Sequence, residues 1–300
     1  MMTADRTGAP VSSNGAVAHA GVQRHECVVF GCAVELRCAG APRTPFEDIE
    51  RHLRELEGRF SRFVPGNELD RLNSSEGRWV RLSAEMERFL VHALRVAVES
   101  RGLVNIAVTP AVRRAGYVAP WPAPWQDATG ESEPVAALTE VLELRPGQAR
   151  LRPGCAVDFG AIAKGMWADD VVELLGPNAA AGLGGDVATH GPGPDGVGWP
   201  IGLPAGRTVS VHDGGVATSG TTKRSQHGRH HVIDPRSGLP SGSRVAVVSV
   251  VAGCATTAEW VATALLIDDE DPAGLLHRSD VHAHFTVPGR PPAGPSQEQS

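Results

Sequence analysis

Three short stretches carry side chains able to do chemistry. In Asp158-Phe159-Gly160-Ala161-Ile162-Ala163-Lys164-Gly165, a strand-like run ends in Asp, small residues follow, and a helix opens with Lys in its first turn. A helix start presents free N–H groups and a positive dipole end, which suits phosphate. Lys adds a compact charge that can follow a phosphate, although a cation at a helix start opposes the dipole. Lys164 and Lys223 are the only lysines in an Arg-dominated chain, so a Lys here departs from the default cation. The ordinary alternative is a strand-to-helix turn with a surface Lys. Glu259 and Thr263 stand four apart in an apolar helical stretch, hence on one face. A carboxylate plus a hydroxyl is an oxygen-only pair suited to Mg²⁺; the alternative is a solvated helix face. In His230-His231-Val232-Ile233-Asp234-Pro235, His231 and Ile233 share one face of a β-run and His230 and Val232 the other. A His facing a phosphate site can take a hydroxyl proton; the alternative is a structural His.

The elements that must position these residues are legible around them. Cys27–Cys38 is strand-like. Thr44-Pro45-Phe46-Glu47 combines a capping box with Pro at the first helical position, and Phe46, Ile49, Leu53, Leu56, Phe60 and Phe63 follow at helical spacing. A second helix opens at Ser83, with Met86, Phe89, Leu90, Ala93, Leu94 and Ala97 on its apolar face. Residues 118–136 are Pro-rich and acidic, a surface loop. Strands follow at 139–144 and 149–159, then a helix from Ala161 to Leu175 that stops at Gly176-Pro177. Gly182-Leu183-Gly184-Gly185-Asp186 reads as a tight turn or a ligand loop. It is not a P-loop, and no GxGxxG stands between strand and helix. Thr256 or Thr257 caps a last helix. Strands and helices mix without a βαβ rhythm, which predicts an α+β fold.

Composition removes whole function classes. The formal charge of −6 and a pI near 6.1 argue against a polyanion binder, so no nucleic-acid partner is expected. With 41% hydrophobic and 21% charged residues, the chain can build a core and is not wholly disordered. Five Cys without CxxC or zinc-finger spacing argue against a disulfide framework and against structural zinc. Neither a signal peptide nor a membrane-length apolar run is seen, so a soluble cytoplasmic protein is expected. Residues 1–24 and 288–300 read as disordered tails around a folded domain at 25–287.

Taken in order, Phe60-Ser61, NELDRLN (67–73), NIAVTP (105–110), DFGAIAKG (158–165), GLGGD (182–186), ATSG (217–220), HHVIDPRSG (230–238) and AEWVATAL (258–265) resemble the ApbE-like FAD:protein FMN transferases across roughly residues 27–270. The resemblance implies two intimate sub-lobes of mixed or antiparallel sheet with packed helices and a flavin site in the cleft between them. It implies Mg²⁺-dependent cleavage of FAD, FMN passing to a Thr or Ser hydroxyl of an acceptor flavoprotein through a phosphoester bond, and release of AMP. Carried over by position, Phe30, Phe63, Leu103, Val104, Asn105, Asp158, Lys164 and Ile233 would contact FAD. The backbone oxygen of Ala161 with Glu259 and Thr263 would hold the metal, Ala262 lying close by. His231 would be the base toward the acceptor hydroxyl, its titration nominally near pH 6.5. The chain departs from the family pattern in Asn105 and Glu259, where Asp is usual, in Thr109 and Leu183, and in Phe30, where Met is usual. A non-catalytic flavin-storage protein and an FAD hydrolase giving FMN and AMP are the alternative readings.

Overall fold

A computed structural model describes residues 21–289. Its centre is a seven-stranded sheet built from β1 (Val22–Val29), β2 (Cys32–Ala39), β3 (Ala179–Leu183), β4 (Asp186–His190), β5 (Gly214–Gly220), β6 (Val245–Ala252) and β7 (Val281–Pro288). The order across the sheet is the order along the chain, and every pairing is antiparallel. The fold is therefore α+β, with an antiparallel rather than a mixed main sheet. The stretch Cys27–Cys38 is two strands, because Phe30 and Gly31 both take positive φ, at 57° and 63°, and close a two-residue hairpin turn. Val22, Gln23 and Arg24, expected in the tail, already pair in β1. At the other end Pro288 of β7, also expected in a tail, pairs with Val245, and the Gly289 N–H donates to the Arg244 carbonyl; residues 1–20 and 290–300 of the expected tails lie outside the described residues.

The excursion between β2 and β3 supplies the second lobe. It carries α1 (Phe46–Phe60), α2 (Ala84–Glu99) and a three-stranded sheet of Val80–Arg81, Leu142–Arg145 and Gln148–Leu151, and it returns through α3 (Ala163–Leu175), which packs on β3 and β4 of the main sheet. On α1 the expected stripe is buried at Phe46, Ile49, Leu53, Leu56 and Phe60, but Phe63 lies beyond the helix end. No capping box forms, since Pro45 takes the N-cap place without a side-chain bond. Ser83 caps α2 as expected, accepting from the Met86 N–H at 3.1 Å. One apolar core runs without interruption from α1 and α2 to the sheet, so the two lobes share an interior. The Pro-rich loop contributes to a smaller cluster, where Trp125 is buried and stacks on Tyr117 with centroids 5.1 Å apart. It is thus more than a surface loop.

The last helix, α4 (Ala255–Ile267), is apolar on nearly every face and packs on β5, β6 and α3. Gly165 permits that approach, for a Cβ there would stand 2.5 Å from the Ala255 carbonyl oxygen. The α4 start is not capped by Thr256 or Thr257. Cys254 holds the N-cap place, and Asp169 of α3 accepts the N–H groups of Ala255 and Thr256, both at 2.9 Å. No helix among the described residues is long and apolar enough to cross a membrane. Asp169→Ala removes both acceptors at a buried helix start. It should lower the unfolding free energy by about 2 kcal/mol, read by urea denaturation.

Candidate active site

The first turn of α3 sends the Lys164 ammonium between two carboxylates, Asp186 at the start of β4 and Glu259 in the middle of α4. The Gly165 N–H donates to the other Glu259 oxygen at 2.8 Å. Gly184, at φ +75°, forms the turn that delivers Asp186; a Cβ there would meet Cys32 Sγ at 3.0 Å. Both carboxylates are buried, Glu259 at 1% exposure. One ammonium faces two carboxylates, so the fully ionised cluster is one positive charge short. Burial pulls Lys164 down, but Asp186 and Glu259 outweigh it and hold the ammonium charged. Burial pushes Glu259 up, Lys164 opposes this, and Asp186 adds to it.

Thr263, one turn along α4 from Glu259, shares a hydrogen bond with Ser219 of β5 at 3.0 Å. Ala262 is fully buried beside it, and Ala161 lies half-buried in the turn before α3. Carboxylate and hydroxyl oxygens in a site short of positive charge fit a hard divalent cation. Lys164 is therefore held by two carboxylates and is not the free cation its place at a helix start suggests.

A second group gathers around Tyr117. Arg62, with 3% of its side chain exposed, bonds Asp158 Oδ2 through Nε at 2.7 Å. Its Nη2 donates to the Tyr117 carbonyl at 3.0 Å, and its guanidinium lies over the Phe63 and Tyr117 rings. Burial lowers the Arg62 pKa, and Asp158 opposes that shift. The other Asp158 oxygen accepts the Gly160 N–H at 2.8 Å. Phe63 meets Tyr117 edge-on, and Ile233 is buried in the same cluster. Phe30 belongs elsewhere, stacked on Trp167 of α3 at 4.4 Å. Leu103 and Val104 are buried in the main core. The Asn105 side chain is occupied locally, donating to the Ala136 carbonyl and accepting the Ala107 N–H, both at 2.9 Å.

His231 stands edge-on to Tyr117, with centroids 6.3 Å apart. The HHVIDP run is not one strand: Arg229–His230 and Ile233–Asp234 are short strands on either side of a break at His231 and Val232. Val232 packs in the main core, whereas Ile233 lies in the Tyr117 cluster, against which His231 also stands. His230 bonds the Ser241 carbonyl through Nε2 at 3.0 Å. Burial first, then Arg224 and His230, push His231 down to about 3, while a backbone hydrogen bond to Arg224 pulls the other way. Its Nδ1 is buried and has no hydrogen-bond partner among the described residues. The titration expected near 6.5 is thus displaced, and the ring is a neutral base throughout the physiological range.

Arg62, Tyr117, Asp186 and Arg224 were missed as site residues by sequence reasoning. Asp186 stood in a quoted glycine turn, but nothing local signalled its pairing with Lys164. Arg62 carried no signal, because its burial against Asp158 is purely tertiary.

The ApbE family profile matches residues 30–285. The chain is 26% identical over 253 residues to the FAD:protein FMN transferase of Haemophilus influenzae, covering 76% of this chain and 73% of that one. Against the FAD:protein FMN transferase of Vibrio cholerae it is 26% identical over 244 residues, 75% and 73% of the two chains. The fold is shared with the apo form of Pseudomonas stutzeri flavinyl transferase ApbE, at TM-score 0.76 and 20% identity over 90% of this chain and 92% of that one. It is shared also with the flavin transferase ApbE of Vibrio cholerae, at TM-score 0.70 and 21% identity over 89% and 97%.

Lys164→Met leaves two buried carboxylates without their cation. The unfolding free energy should fall by about 3–5 kcal/mol at pH 7.5. A carboxyl whose pKa is raised by folding costs stability above that pKa and ceases to do so as pH falls through it. The deficit of the variant should therefore shrink toward pH 5, as urea denaturation at both pH values would show.

Proposed function

The chain belongs to the ApbE family, and from that premise we propose that it transfers FMN from FAD to a Thr or Ser hydroxyl of an acceptor flavoprotein and releases AMP. The observation that carries this reading is the pairing, in one fold, of a charge-deficient oxygen cluster with a half-buried neutral His whose Nδ1 is shielded from solvent. In the transfer, the acceptor oxygen forms a bond to the FMN phosphorus while the P–O bond to AMP breaks. The leaving phosphate keeps the bridging oxygen, and the hydroxyl proton passes to His231. The unpaired Nδ1 is the ring nitrogen free to receive it.

Mg²⁺ would be held by Glu259, Thr263 and the backbone oxygen of Ala161, and when bound it neutralises charge on the pyrophosphate. Lys164 keeps the Glu259 carboxylate fixed in direction, and the Gly165 N–H fixes its second oxygen. Asp158, locked by Arg62, and Ile233 and Phe63 beside Tyr117 form the wall on the His231 side, where the flavin would lie. Asn105 supports that wall from behind by fastening residue 136. Phe30, stacked on Trp167, would bound the cleft from the α3 side, and Leu103 and Val104 would back it from within the core. The acceptor is a flavoprotein segment that can bring a hydroxyl to this wall.

The deciding assay incubates the protein with FAD, Mg²⁺ and an acceptor domain bearing a Thr, and follows AMP and covalent flavin together. AMP with covalent flavin is expected. AMP with free FMN would mark a hydrolase, and bound FAD with no AMP a storage protein.

Glu259→Gln should keep the fold by circular dichroism, since Lys164 remains balanced by Asp186. AMP release should drop by at least about 10²-fold. His231→Ala should retain FAD binding and lose about 10²–10⁴-fold in transfer. Because His231 is already neutral, the parent rate should show no inflection near pH 6.5. His230→Ala should leave transfer close to the parent rate.

A further inference from the structure

Away from this site, the inward face of the edge strand β1 has an unusual makeup. Its burial alternates, with His25, Cys27 and Val29 turned inward and Arg24, Glu26 and Val28 outward. Two of the three inward residues are therefore a ring nitrogen and a thiol, both capable of binding a metal. Opposite them stands Glu50 of α1, whose Oε2 lies 2.7 Å from His25 Nε2. One ligand atom from each of His25, Cys27 and Glu50 falls within 4.8 Å of the other two.

The surroundings hold the three groups in place. The His25 ring stacks on Phe46, one turn before Glu50 on α1, at 5.7 Å and 10° between planes. Arg54, one turn after Glu50, takes the Glu50 Oε1 atom at 2.6 and 3.0 Å and also bonds the Val28 carbonyl. That contact aims Oε2 at His25 and Cys27, as outer groups around a metal ligand do. His25 and Glu50 are only 22% and 23% exposed, so water does not dominate their chemistry.

We infer that His25, Cys27 and Glu50 bind a zinc-class divalent cation, clipping the edge strand β1 to α1. One nitrogen, one sulfur and one oxygen form a borderline-soft set that suits Zn²⁺ and not Mg²⁺, with a fourth position left for water. Tetrahedral zinc distances would set the ligand atoms roughly 3.3–3.7 Å apart. The His25–Glu50 contact would open by under an ångström, and the thiol, within 4.8 Å of both partners, would close in by up to about 1.3 Å. Binding exchanges the thiol proton and the His25–Glu50 hydrogen bond for metal bonds, releasing one proton and transferring no electrons. Sequence spacing did not show the set because Glu50 lies on a different element from the His-x-Cys pair. The inference is independent of the flavin reading.

The test titrates chelator-treated, reduced full-length protein with Co²⁺ and reads the thiolate-to-cobalt charge-transfer band. The band should saturate at one equivalent, vanish on adding Zn²⁺, be lost in Cys27→Ser and His25→Ala, and persist in Cys32→Ser. Co²⁺ at an oxygen-only site gives no such band, which separates the two metal sites. In the unmutated protein, Zn²⁺ should slow alkylation of Cys27 at least tenfold while leaving Cys155 unchanged, read by mass spectrometry. Absence of the band at one equivalent, its survival in Cys27→Ser, or equal alkylation of Cys27 with and without Zn²⁺ would overturn the assignment.

Discussion

The Lys164 ammonium between Asp186 and Glu259 is the interaction on which the rest of the structure depends. It ties three elements that are far apart in sequence: the start of α3, the first residue of β4 and the middle of α4. Two carboxylates could not be buried here without it. The geometry leaves little slack, since Gly165 is the residue that lets α3 and α4 approach closely enough for Glu259 to meet its backbone N–H. A fold that spends this much buried charge on one junction gains a place where a further cation is electrostatically welcome.

The Tyr117 side of the molecule works by the opposite principle. There the polar groups are paired off, Arg62 with Asp158 and Asn105 with the Ala136 carbonyl and the Ala107 N–H. What is left unpaired is the Nδ1 of His231, kept neutral mainly by burial. A base for a hydroxyl must hold a free lone pair, and burial secures that without help from pH. The proposed transfer thus divides between a region that attracts positive charge and a region that accepts a proton.

The sequence reached far where structure is local. The α1 stripe from Phe46 to Phe60, the Ser83 cap and the stop at Gly176 follow from neighbours within a turn or two. It failed where the partner is remote. Phe30 gave no sign of a positive-φ turn, so one apparent strand was two. The cap of α4 comes from Asp169, on another helix. The displacement of His231 from its ordinary titration and the His25, Cys27 and Glu50 cluster are likewise products of packing, which spacing along one chain does not encode. At the candidate site, the chemistry-bearing residues were legible by type, and their electrostatic roles were not. Lys164 read as a free phosphate partner, and its commitment to two carboxylates emerges only when β4 and α4 are brought together.

The most direct test of the account is a crystal structure of the protein with FAD and Mn²⁺, using anomalous scattering to locate the metal. The account predicts a single strong peak beside the FAD pyrophosphate, bonded to Glu259 and Thr263, with the Lys164 ammonium still on Asp186. Density for the pyrophosphate with no metal at Glu259, or FAD bound away from His231, would contradict it.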